Sequence, residues 1–335
     1  MQHSHIAFDS RWIGQHGIGR FATELQDRLN FTCLFTDPAH PSSFASSIRL
    51  GRWLASSGAK ALYSPGYIPP SASRLPFVFT IHDLNHLDVE HNSSALKKLY
   101  YQLIIRPAVH RAAQVLTVSE FSRQRIIDWA DCRPEQVSVV SNGVSDAFHT
   151  GVLPRQPGFA YFFCCSNRKG HKNEPRLIRA FRHSGLYRDS KLVFTGTATM
   201  ELQRLIHRDG LERRVLFTGQ LSENELASWY RGAIATVFPS LYEGFGLPVA
   251  ESMACGTPVI TSRTSSMPEV GAGAALYVDP TDTENIATAM LAVAGSEELS
   301  RTLSAKGLIQ ARNFTWDRTA DLVSQALEKL SPLIA

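Results

Sequence analysis

Short apolar runs recur along the chain and alternate with stretches whose apolar positions follow a helical period. The runs that predict strands are PFVFTIHD, AAQVLTVSEFS, QVSVVSNGV, FAYFFCCSN, SKLVFTG, RRVLFTGQLS, AIATVFPS, TPVITS and AALYVDP. They are rich in Val, Phe, Ile and Leu, as strands buried on both faces of a parallel sheet are. The stretches that predict helices between them include FSRQRIIDWA, EPRLIRAFRHS and ENELASWYRGA. This alternation indicates βαβ units and an α/β protein built on doubly wound sheets.

A segment without periodicity interrupts this alternation near the middle of the chain. Val144–Phe159 contains glycine and two prolines but no strand or helix pattern, which is typical of an interdomain linker. A chain of 335 residues is also longer than one hydrophobic core usually fills. We therefore predict one domain over residues 1–150, a second over residues 151–315 and a terminal helix within residues 316–335. The apolar positions of that helix follow steps of three and four residues: Ala320, Val323, Ala326, Leu327 and Leu330.

Composition narrows the classes of function. Hydrophobic residues make up 44% of the chain and charged residues 19%, as in ordinary globular proteins. The net charge of +4 is not concentrated in a basic face, so no nucleic-acid partner is expected. The five cysteines form no CxxC pair, which argues against a zinc site and a disulfide framework. No apolar run approaches the roughly 18 residues of a membrane-spanning helix, and we expect a cytoplasmic protein.

Open α/β sheets bind ligands at the carboxyl ends of their strands, so residues that follow a strand are the candidates for function. The first candidate follows the run IAFDSRWI and contains Gly14, Gly17 and Gly19, ahead of a helix expected to begin near Phe21. Glycines let backbone amides approach a phosphate or a sugar oxygen at the positive end of a helix. An ordinary strand-to-helix turn explains the pattern equally well.

The second candidate is a histidine that follows the strand FVFTI. His82 and His86 have the spacing of the two ligands in an HExxH zinc helix, but a segment directly after a strand is expected to be a loop. No metal is therefore expected here. His82 lies beside Asp83 and is better placed for hydrogen bonding or proton transfer.

The third candidate is a basic loop after the strand FAYFFCC. Arg168, Lys169 and Lys172 precede a helix whose early Pro175 suits its first turn. Cations beside a helix N-terminus suit a pyrophosphate, which Arg grips as a flat fork and Lys as a point charge. We favour this interpretation over a solvated basic loop.

The fourth candidate is the stretch FPSLYEGFGLPVAESMACG, which has the most specific spacing. Glu243 lies in a loop with Gly244 and Gly246, and Glu251 lies one turn inside the helix that follows. Carboxylates accept pairs of hydroxyl groups, and glycine amides at a helix start hold oxyanions or sugar hydroxyls. Two such acids also fit a glycosidase pair, but glycan hydrolysis has no need of the pyrophosphate site predicted above.

These motifs resemble those of the retaining glycosyltransferases of family GT4. The run EGFGLPVAE is similar to the EX7E signature of that family, and further motifs follow the family's order over nearly the whole chain: GIGRFATEL, HDLNHL, LTVSEFSRQRI, VVSNGV, SNRKGHKNEPRLIRAF, LVFTG and SMPEVGAGAALYVDPTD. The resemblance implies the GT-B fold, in which two Rossmann-like doubly wound domains face a central cleft. It also implies that the linker acts as a hinge and that the C-terminal helix crosses back to the N-terminal domain.

The resemblance implies roles for single residues as well. Glu251 is expected to accept hydrogen bonds from the donor's ribose, and Glu243 to lie beside the transferred sugar. Arg168 and Lys172 match the family's cationic pair at the diphosphate, and His82 matches a histidine near the reacting sugar. Backbone contacts to the donor are expected from Gly17, Gly19, Gly244, Phe245, Gly246 and Leu247. The absence of a DxD sequence argues against a metal-bridged diphosphate.

The sequence indicates the sugar donor and the acceptor less directly than it indicates the fold. The resemblance is to bacterial transferases of lipopolysaccharide or exopolysaccharide assembly, often mannosyltransferases that use GDP-mannose as co-substrate. A UDP-sugar, a GDP-deoxyhexose donor and a non-catalytic sugar-nucleotide-binding protein stay open as alternatives. The acceptor is expected to be a saccharide or lipid-linked saccharide. Ala95–Arg111 mixes apolar, aromatic and basic residues, so it is either a helix packed on its domain or a peripheral contact with the cytoplasmic face of an anionic inner membrane.

Overall fold

The structure, a computed structural model, describes residues 5–14, 17–38, 41, 45–71 and 73–334. It divides into two compact units, one of residues 1–143 and 315–335 and the other of residues 144–314. Each unit contains a six-stranded sheet whose neighbouring strands are parallel. Every apolar run named from the sequence contains one of these strands. The fold is of the GT-B type, as predicted.

The first unit has the strand order β2-β1-β3-β4-β5-β6. Its strands are β1 Ile6–Asp9, β2 Cys33–Phe35, β3 Ala61–Ser64, β4 Phe77–Thr80, β5 Gln114–Thr117 and β6 Val137–Val139. Its helices up to the division are α1 Ile18–Leu29, α2 Ser46–Ser56, α3 Asn85–Asp88, α4 Ala95–Tyr100, α5 Arg106–Arg111 and α6 Glu120–Ala130. Strands β2 and β3, with the sequences CLF and ALYS, were not identified from the sequence.

The second unit has the strand order β12-β11-β10-β7-β8-β9. Its strands are β7 Ala160–Cys164, β8 Ser190–Phe194, β9 Val215–Phe217, β10 Thr236–Phe238, β11 Val259–Ser262 and β12 Leu276–Val278. Its helices are α7 Glu174–His183, α8 Met200–Arg208, α9 Glu223–Gly232, α10 Leu247–Ala254, α11 Met267–Gly271, α12 Thr283–Gly295 and α13 Glu297–Ala311. The three helical stretches named from the sequence correspond to α6, α7 and α9.

The last segment of the chain belongs to the first unit. Helix α14, Trp316–Glu328, packs against α1, and the short α15, Ser331–Ile334, follows it. The apolar positions identified from the sequence are buried, from Val323 and Leu330 at 0% exposure to Ala320 and Ala326 at 5%. The N-terminus of α14 is capped by the hydroxyl of Thr315, which accepts from the Arg318 amide at 3.2 Å.

The division between the units lies at Gly143–Val144, earlier than the boundary at residue 150 drawn from the sequence. Residues 144–159 form no helix or strand, and they contact the second unit through hydrogen bonds to α9. The Ser145 hydroxyl donates to the Glu223 carboxylate at 2.8 Å, and the Arg155 amide donates to the Ser228 carbonyl at 2.9 Å. Composition marks this segment as irregular, but only these contacts assign it to a unit.

Within the described residues, no helix is long and apolar enough to cross a bilayer. The five cysteines are free thiols.

Candidate functional site

The strand order of the second unit reverses between β10 and β7, at the centre of the sheet. Loops that leave adjacent strands in opposite directions at such a reversal open a crevice at the carboxyl edge. The two loops contact each other there, because the Leu241 amide and the Ser240 hydroxyl both donate to the His171 carbonyl, at 2.8 and 3.0 Å. The basic loop and the glutamate loop predicted from the sequence therefore meet at this point.

Lys172 and Glu243 form an ion pair at the reversal. The Lys172 ammonium lies 2.7 Å from Oε1 of Glu243, and the Ser240 hydroxyl donates to the same oxygen at 2.5 Å. The ammonium also lies 4.9 Å from the centre of the Phe238 ring. Both charged side chains are 12% exposed, so water reaches them only in part. The structure thus brings together two residues that the sequence predicted for one site.

Arg168 lies in the same loop, but its guanidinium turns toward the protein. Its Nη1 lies 3.0 Å from the carboxylate of Glu174 at the start of α7, and its Nη2 donates to the Thr195 carbonyl at 2.5 Å. The guanidinium lies over the rings of Phe194 and Phe217, 5.4 and 5.3 Å from their centres. Arg168 therefore adds positive charge from beneath the loop, held by a glutamate that was not singled out from the sequence.

The glycine loop after Glu243 is fixed by serines of the following segment. The Ser266 hydroxyl donates to the carbonyls of Glu243 and Phe245, at 3.0 and 2.8 Å, and the Glu243 amide donates to the Ser265 hydroxyl at 3.1 Å. Gly246 caps the N-terminus of α10 with φ +103°, a backbone conformation that L side chains rarely adopt, and any Cβ there would collide with Met267. The loop carries Gly244, Phe245, Gly246 and Leu247 into the first turn of α10.

Glu251 lies inside α10 and is 3% exposed. The hydroxyl of Tyr230, on α9, donates to its Oε2 at 3.1 Å. Burial, and after it the charge of Glu251, raises the pKa of Cys165, the residue that follows β7, so the carboxylate lies near the same strand end as Lys172 and Arg168. The residues predicted to bind the donor thus surround the end of β7.

Three titratable groups at this strand end stay neutral at ordinary pH. Burial raises the pKa of the Cys164 and Cys165 thiols, which therefore remain protonated. Burial also lowers the pKa of His171 to about 4, against a weaker opposing effect of Glu243. The site's charge therefore rests on its carboxylates, Lys172 and Arg168.

The strand order of the first unit reverses between β1 and β3, near its edge. An ion pair that the sequence analysis missed occupies this point: Arg11 holds Asp9 through both carboxylate oxygens at 2.7 Å, and both side chains are fully buried. Arg11 also donates to the Ser46 hydroxyl at 2.6 Å and lies over the Phe35 ring. The only signal in the sequence was a charged residue at each end of DSR, directly after a buried strand.

The glycine segment of the first unit differs from its prediction. Helix α1 begins at Ile18 rather than near Phe21, with Gly17 as its N-cap at φ +49°. Gly19 therefore lies inside the first turn, buried against Gly14 so closely that a Cβ would touch the Gly14 backbone at 2.8 Å. The helix extends toward β1 because Gly14 and Gly19 allow this approach. Residues 15 and 16 of the quoted motif lie outside the described residues.

His82 follows β4 and is half-buried. Its Nε2 lies 2.9 Å from the Pro65 carbonyl, which only accepts hydrogen bonds, so we assign the ring proton to Nε2. Burial lowers the pKa of His82 to about 4, and the ring is neutral near pH 7. Its Nδ1 is then an acceptor, and it has no partner among the described residues.

His86 and His82 have different hydrogen-bond partners in the structure. It lies in the short helix α3, and its Nδ1 is 3.1 Å from the Tyr101 hydroxyl. The segment is therefore a short loop followed by a helical turn, rather than the loop predicted throughout. The described residues contain no group of three His, Cys, Asp or Glu side chains placed to hold a metal ion.

Two curated relatives show what the chain is similar to. It is 27% identical to O-antigen chain mannosyltransferase B of Escherichia coli over 271 residues, which are 75% of this chain and 69% of that protein. It is 32% identical to O-antigen chain mannosyltransferase RfbU of Salmonella typhimurium over 207 residues, 61% of this chain. That match spans 56% of RfbU, little more than half its length.

Solved structures with the same fold cover almost the whole chain. Sucrose-phosphate synthase from Thermosynechococcus elongatus matches 98% of this chain and 100% of its own, with a TM-score of 0.78 and 19% identity. HepE of Anabaena, in complex with UDP and glucose, matches 97% of this chain and 100% of its own, with a TM-score of 0.76 and 19% identity. At such identities the likeness establishes the fold.

Two family models match consecutive parts of the chain. Residues 9–148 match "Glycosyltransferase Family 4", and residues 149–309 match "Glycosyl transferases group 1". The two matches leave only the ends of the chain uncovered. The chain therefore consists of two glycosyltransferase domains, one matching each of these families, as its motifs indicated.

Proposed function

We propose that this chain is a retaining hexosyltransferase that moves a sugar from a nucleotide-sugar to a saccharide or lipid-linked saccharide acceptor. The observation that carries the proposal is the convergence of Lys172, Glu243, Arg168 and Glu251 around the end of β7. A mannosyl group from GDP-mannose is our first choice, supported by the O-antigen mannosyltransferases among the relatives. A UDP-sugar is the alternative, supported by the UDP complex of HepE, and a GDP-deoxyhexose stays open.

The donor's parts would be bound by different groups of the site. Glu251 would accept hydrogen bonds from the ribose hydroxyls, Lys172 would face the diphosphate, and Arg168 would add positive charge from beneath the loop. An ammonium has three donors, and the bond to Glu243 takes one of them. Glu243 and the backbone of Gly244–Leu247 would contact the transferred sugar, and the amides of the Gly17–Gly19 turn a donor phosphate.

The reaction would break the bond between the anomeric carbon and the diphosphate. Negative charge then grows on the leaving group, and Lys172 and Arg168 would stabilise it in a site from which water is partly excluded. The acceptor oxygen would bond to the same face of the carbon, and its proton would pass to the departing phosphate. Because Lys172 and Arg168 would supply positive charge at the diphosphate, we propose that turnover needs no divalent metal.

We propose that Nδ1 of His82 accepts a hydrogen bond from a hydroxyl of the reacting sugar. Its neutral state and the proton assigned to Nε2 suit an acceptor. A cationic histidine would instead repel the positive charge that develops on the sugar.

A donor panel tests the proposal. Purified protein would be incubated with UDP-, GDP-, ADP- and dTDP-sugars in EDTA, with and without a crude lipid-linked glycan extract, and nucleotide release measured. Acceptor-dependent release from one donor is expected, with retained anomeric configuration in the product by NMR. Tight nucleotide binding without release from any donor would favour the non-catalytic binding protein, and release only after Mg²⁺ is added would refute metal independence.

Lysine variants separate an enzyme from a binding scaffold. Replacing Lys172 by Ala should lower turnover by roughly 100- to 1,000-fold, as expected when a donor to developing negative charge is lost. Lys169→Ala is the matched control: Lys169 belongs to the same basic loop, but its side chain is exposed and the ion pair with Glu243 is made by Lys172. Equal turnover in the two variants would refute the assignment of Lys172.

We further propose that the helical segment Ala95–Arg111 contacts an anionic membrane, where a lipid-linked acceptor would be found. The segment consists of α4, the π-helical stretch Tyr101–Ile105 and α5. Leu96, Leu99 and Leu103 follow helical spacing and are 80%, 53% and 63% exposed. Lys98 and Arg111 are exposed on the same segment, so basic charge accompanies the apolar side chains, as in helices that lie on anionic bilayers.

Flotation with vesicles tests this contact. Binding to phosphatidylglycerol vesicles, and weaker binding to phosphatidylcholine vesicles, is expected for the wild type. A Leu96→Ser, Leu99→Ser, Leu103→Ser variant should lose it, whereas Leu153→Ser, a change at another leucine that is 84% exposed, should not. Unchanged flotation of the triple variant would refute the contact. A cytoplasmic location stays a prediction.

A further inference from the structure

Glu251 is a buried carboxylate that is proposed to bind the ribose of the donor, and the orientation of its oxygens matters for that binding. The inference rests on this proposed role. A carboxylate that binds two ribose hydroxyls must present its oxygens in a fixed plane. The terminal torsion of a glutamate is broad, so the side chain alone does not fix that plane. A further contact with the carboxylate is needed.

Tyr230 makes such a contact from the neighbouring helix. Its hydroxyl donates to Oε2 of Glu251 at 3.1 Å, and the residue is 0% exposed. Its ring meets the edges of Phe163 and Phe148, with centres 5.2 and 6.0 Å away. Its carbonyl accepts from the Thr257 hydroxyl at 2.7 Å, so both the ring and the backbone of Tyr230 are held.

The Tyr230 hydroxyl is suited to act as a constant donor. Burial, with Cys165 and Glu251 close by, raises its pKa well above the usual value, so it stays protonated beside the carboxylate. The thiol of Cys165 interacts with the same hydroxyl and with the side chain of Thr195, the residue that follows β8. Tyr230 thereby links the carboxylate to the strand end that the basic loop follows.

We propose that Tyr230 is a positioning residue, whose hydroxyl holds the Glu251 carboxylate in the plane that accepts the ribose hydroxyls of the donor. Tyr230→Phe removes only that hydroxyl and leaves the ring contacts in place. The change should weaken nucleotide binding by about tenfold, as expected for one hydrogen bond to a charged group. At saturating donor, turnover should change by less than about twofold, because the reacting bond is elsewhere.

A comparison of ribose with deoxyribose isolates this role. Calorimetry with GDP and UDP first identifies the nucleotide that binds the wild type. That nucleotide and its 2′-deoxy form are then titrated into the wild type, Tyr230→Phe and Glu251→Gln. The wild type should prefer ribose. Both variants should lose most of that preference, because each should bind the ribose nucleotide more weakly while its affinity for the deoxyribose nucleotide stays nearly the same.

Tyr161→Phe is the matched control. Tyr161 is buried in the same layer, 1% exposed, and its hydroxyl donates to the Trp229 carbonyl at 2.8 Å rather than to Glu251. It should lower the urea midpoint about as much as Tyr230→Phe but keep the ribose preference. This variant shows whether loss of a buried hydroxyl alone affects nucleotide binding.

The outcomes separate the inference from the function on which it rests. A ribose preference that survives in Tyr230→Phe but not in Glu251→Gln overturns the role of Tyr230 and leaves the donor site intact. A preference that survives in Glu251→Gln overturns the assignment of Glu251 itself. A preference that is lost equally in Tyr161→Phe would reduce Tyr230 to a packing residue.

Discussion

The two units have similar parallel sheets, yet their points of strand reversal are built differently. In the first unit the reversal holds Asp9 and Arg11, a fully buried ion pair closed on itself and on neighbouring hydroxyls. In the second unit it holds Lys172 and Glu243, an ion pair that water partly reaches, at the start of a glycine loop. A closed pair stabilises a loop, whereas a partly exposed pair is also available to a ligand.

The difference also appears in the side chains around each point. The second unit adds Arg168 and Glu251 close to its pair, which gives several charges at one strand end. The first unit offers His82, which is neutral and bonded to a backbone carbonyl. Two six-stranded parallel sheets of different strand order thus present one edge suited to a charged diphosphate and another suited to neutral hydroxyls.

The largest effect is expected from breaking the closed pair. Asp9→Asn removes the charge that compensates Arg11, and an uncompensated buried charge should cost about 3–5 kcal/mol of the free energy of unfolding. Urea unfolding measures this. Glu243→Gln, the matched change in the second unit, should cost less stability, about 1 kcal/mol, because water partly reaches Lys172. It should nevertheless lower turnover, because Glu243 is proposed to contact the transferred sugar.

The reverse pattern would contradict the comparison. If Glu243→Gln destabilised the protein as much as Asp9→Asn while turnover persisted, the pair in the second unit would be structural.

An intermediate effect is expected from acid. His82 and His171, one in each unit, have pKa values lowered to about 4 from an ordinary 6.5. The folded state then resists a proton that the unfolded chain binds, so stability is full above about pH 6.5 and falls as the pH drops toward 4. Each histidine should contribute about 1.4 kcal/mol per pH unit within that window.

Urea unfolding between pH 4 and 8 checks the acid effect in each unit. His82→Asn and His171→Asn should each remove part of the pH dependence, because each removes a histidine whose pKa the fold lowers. If either histidine had an ordinary pKa in the fold, its variant would show the same pH dependence as the wild type.

The smallest effects are expected from the two glycine segments. Gly246→Ala combines a positive φ with a contact that requires only the flexible end of Met267 to move, and it should cost about 2 kcal/mol. Gly17→Ala has a positive φ but open space within 4 Å and should cost about 1 kcal/mol. Thermal unfolding measures both, and equal losses would show that the Met267 contact is unimportant.

The sequence predicted the sheets well because buried parallel strands are continuous apolar runs, such as AYFFC in β7. Short strands with exposed positions, such as Cys33–Phe35, carry too little of that signal. The start of α1 was misplaced because close packing of Gly14 on Gly19, a tertiary contact, lets the helix begin earlier. Propensity and pattern do not encode such contacts.

The residues of the candidate site likewise fall into those that the sequence identified and those that only the fold reveals. Residues that a motif places after a strand, such as Lys172 and Glu243, were identified, because strand ends are visible in the sequence. Their supporting groups, such as Tyr230 and Glu174, were missed, since they come from other elements and meet the site only in the fold. The orientation of Arg168 toward Glu174 likewise depends on stacking against β8 and β9.

The most direct test of the account is calorimetric titration of GDP and UDP, in EDTA, into the wild type, Lys172→Ala, Lys169→Ala and Asp9→Asn. The account predicts that one nucleotide binds the wild type, that Lys172→Ala weakens this binding at least tenfold, and that the other two variants bind normally wherever they are folded. Equal binding by wild type and Lys172→Ala, or loss of binding in folded Asp9→Asn alone, would contradict the claim that the strand reversal of the second unit is the donor site.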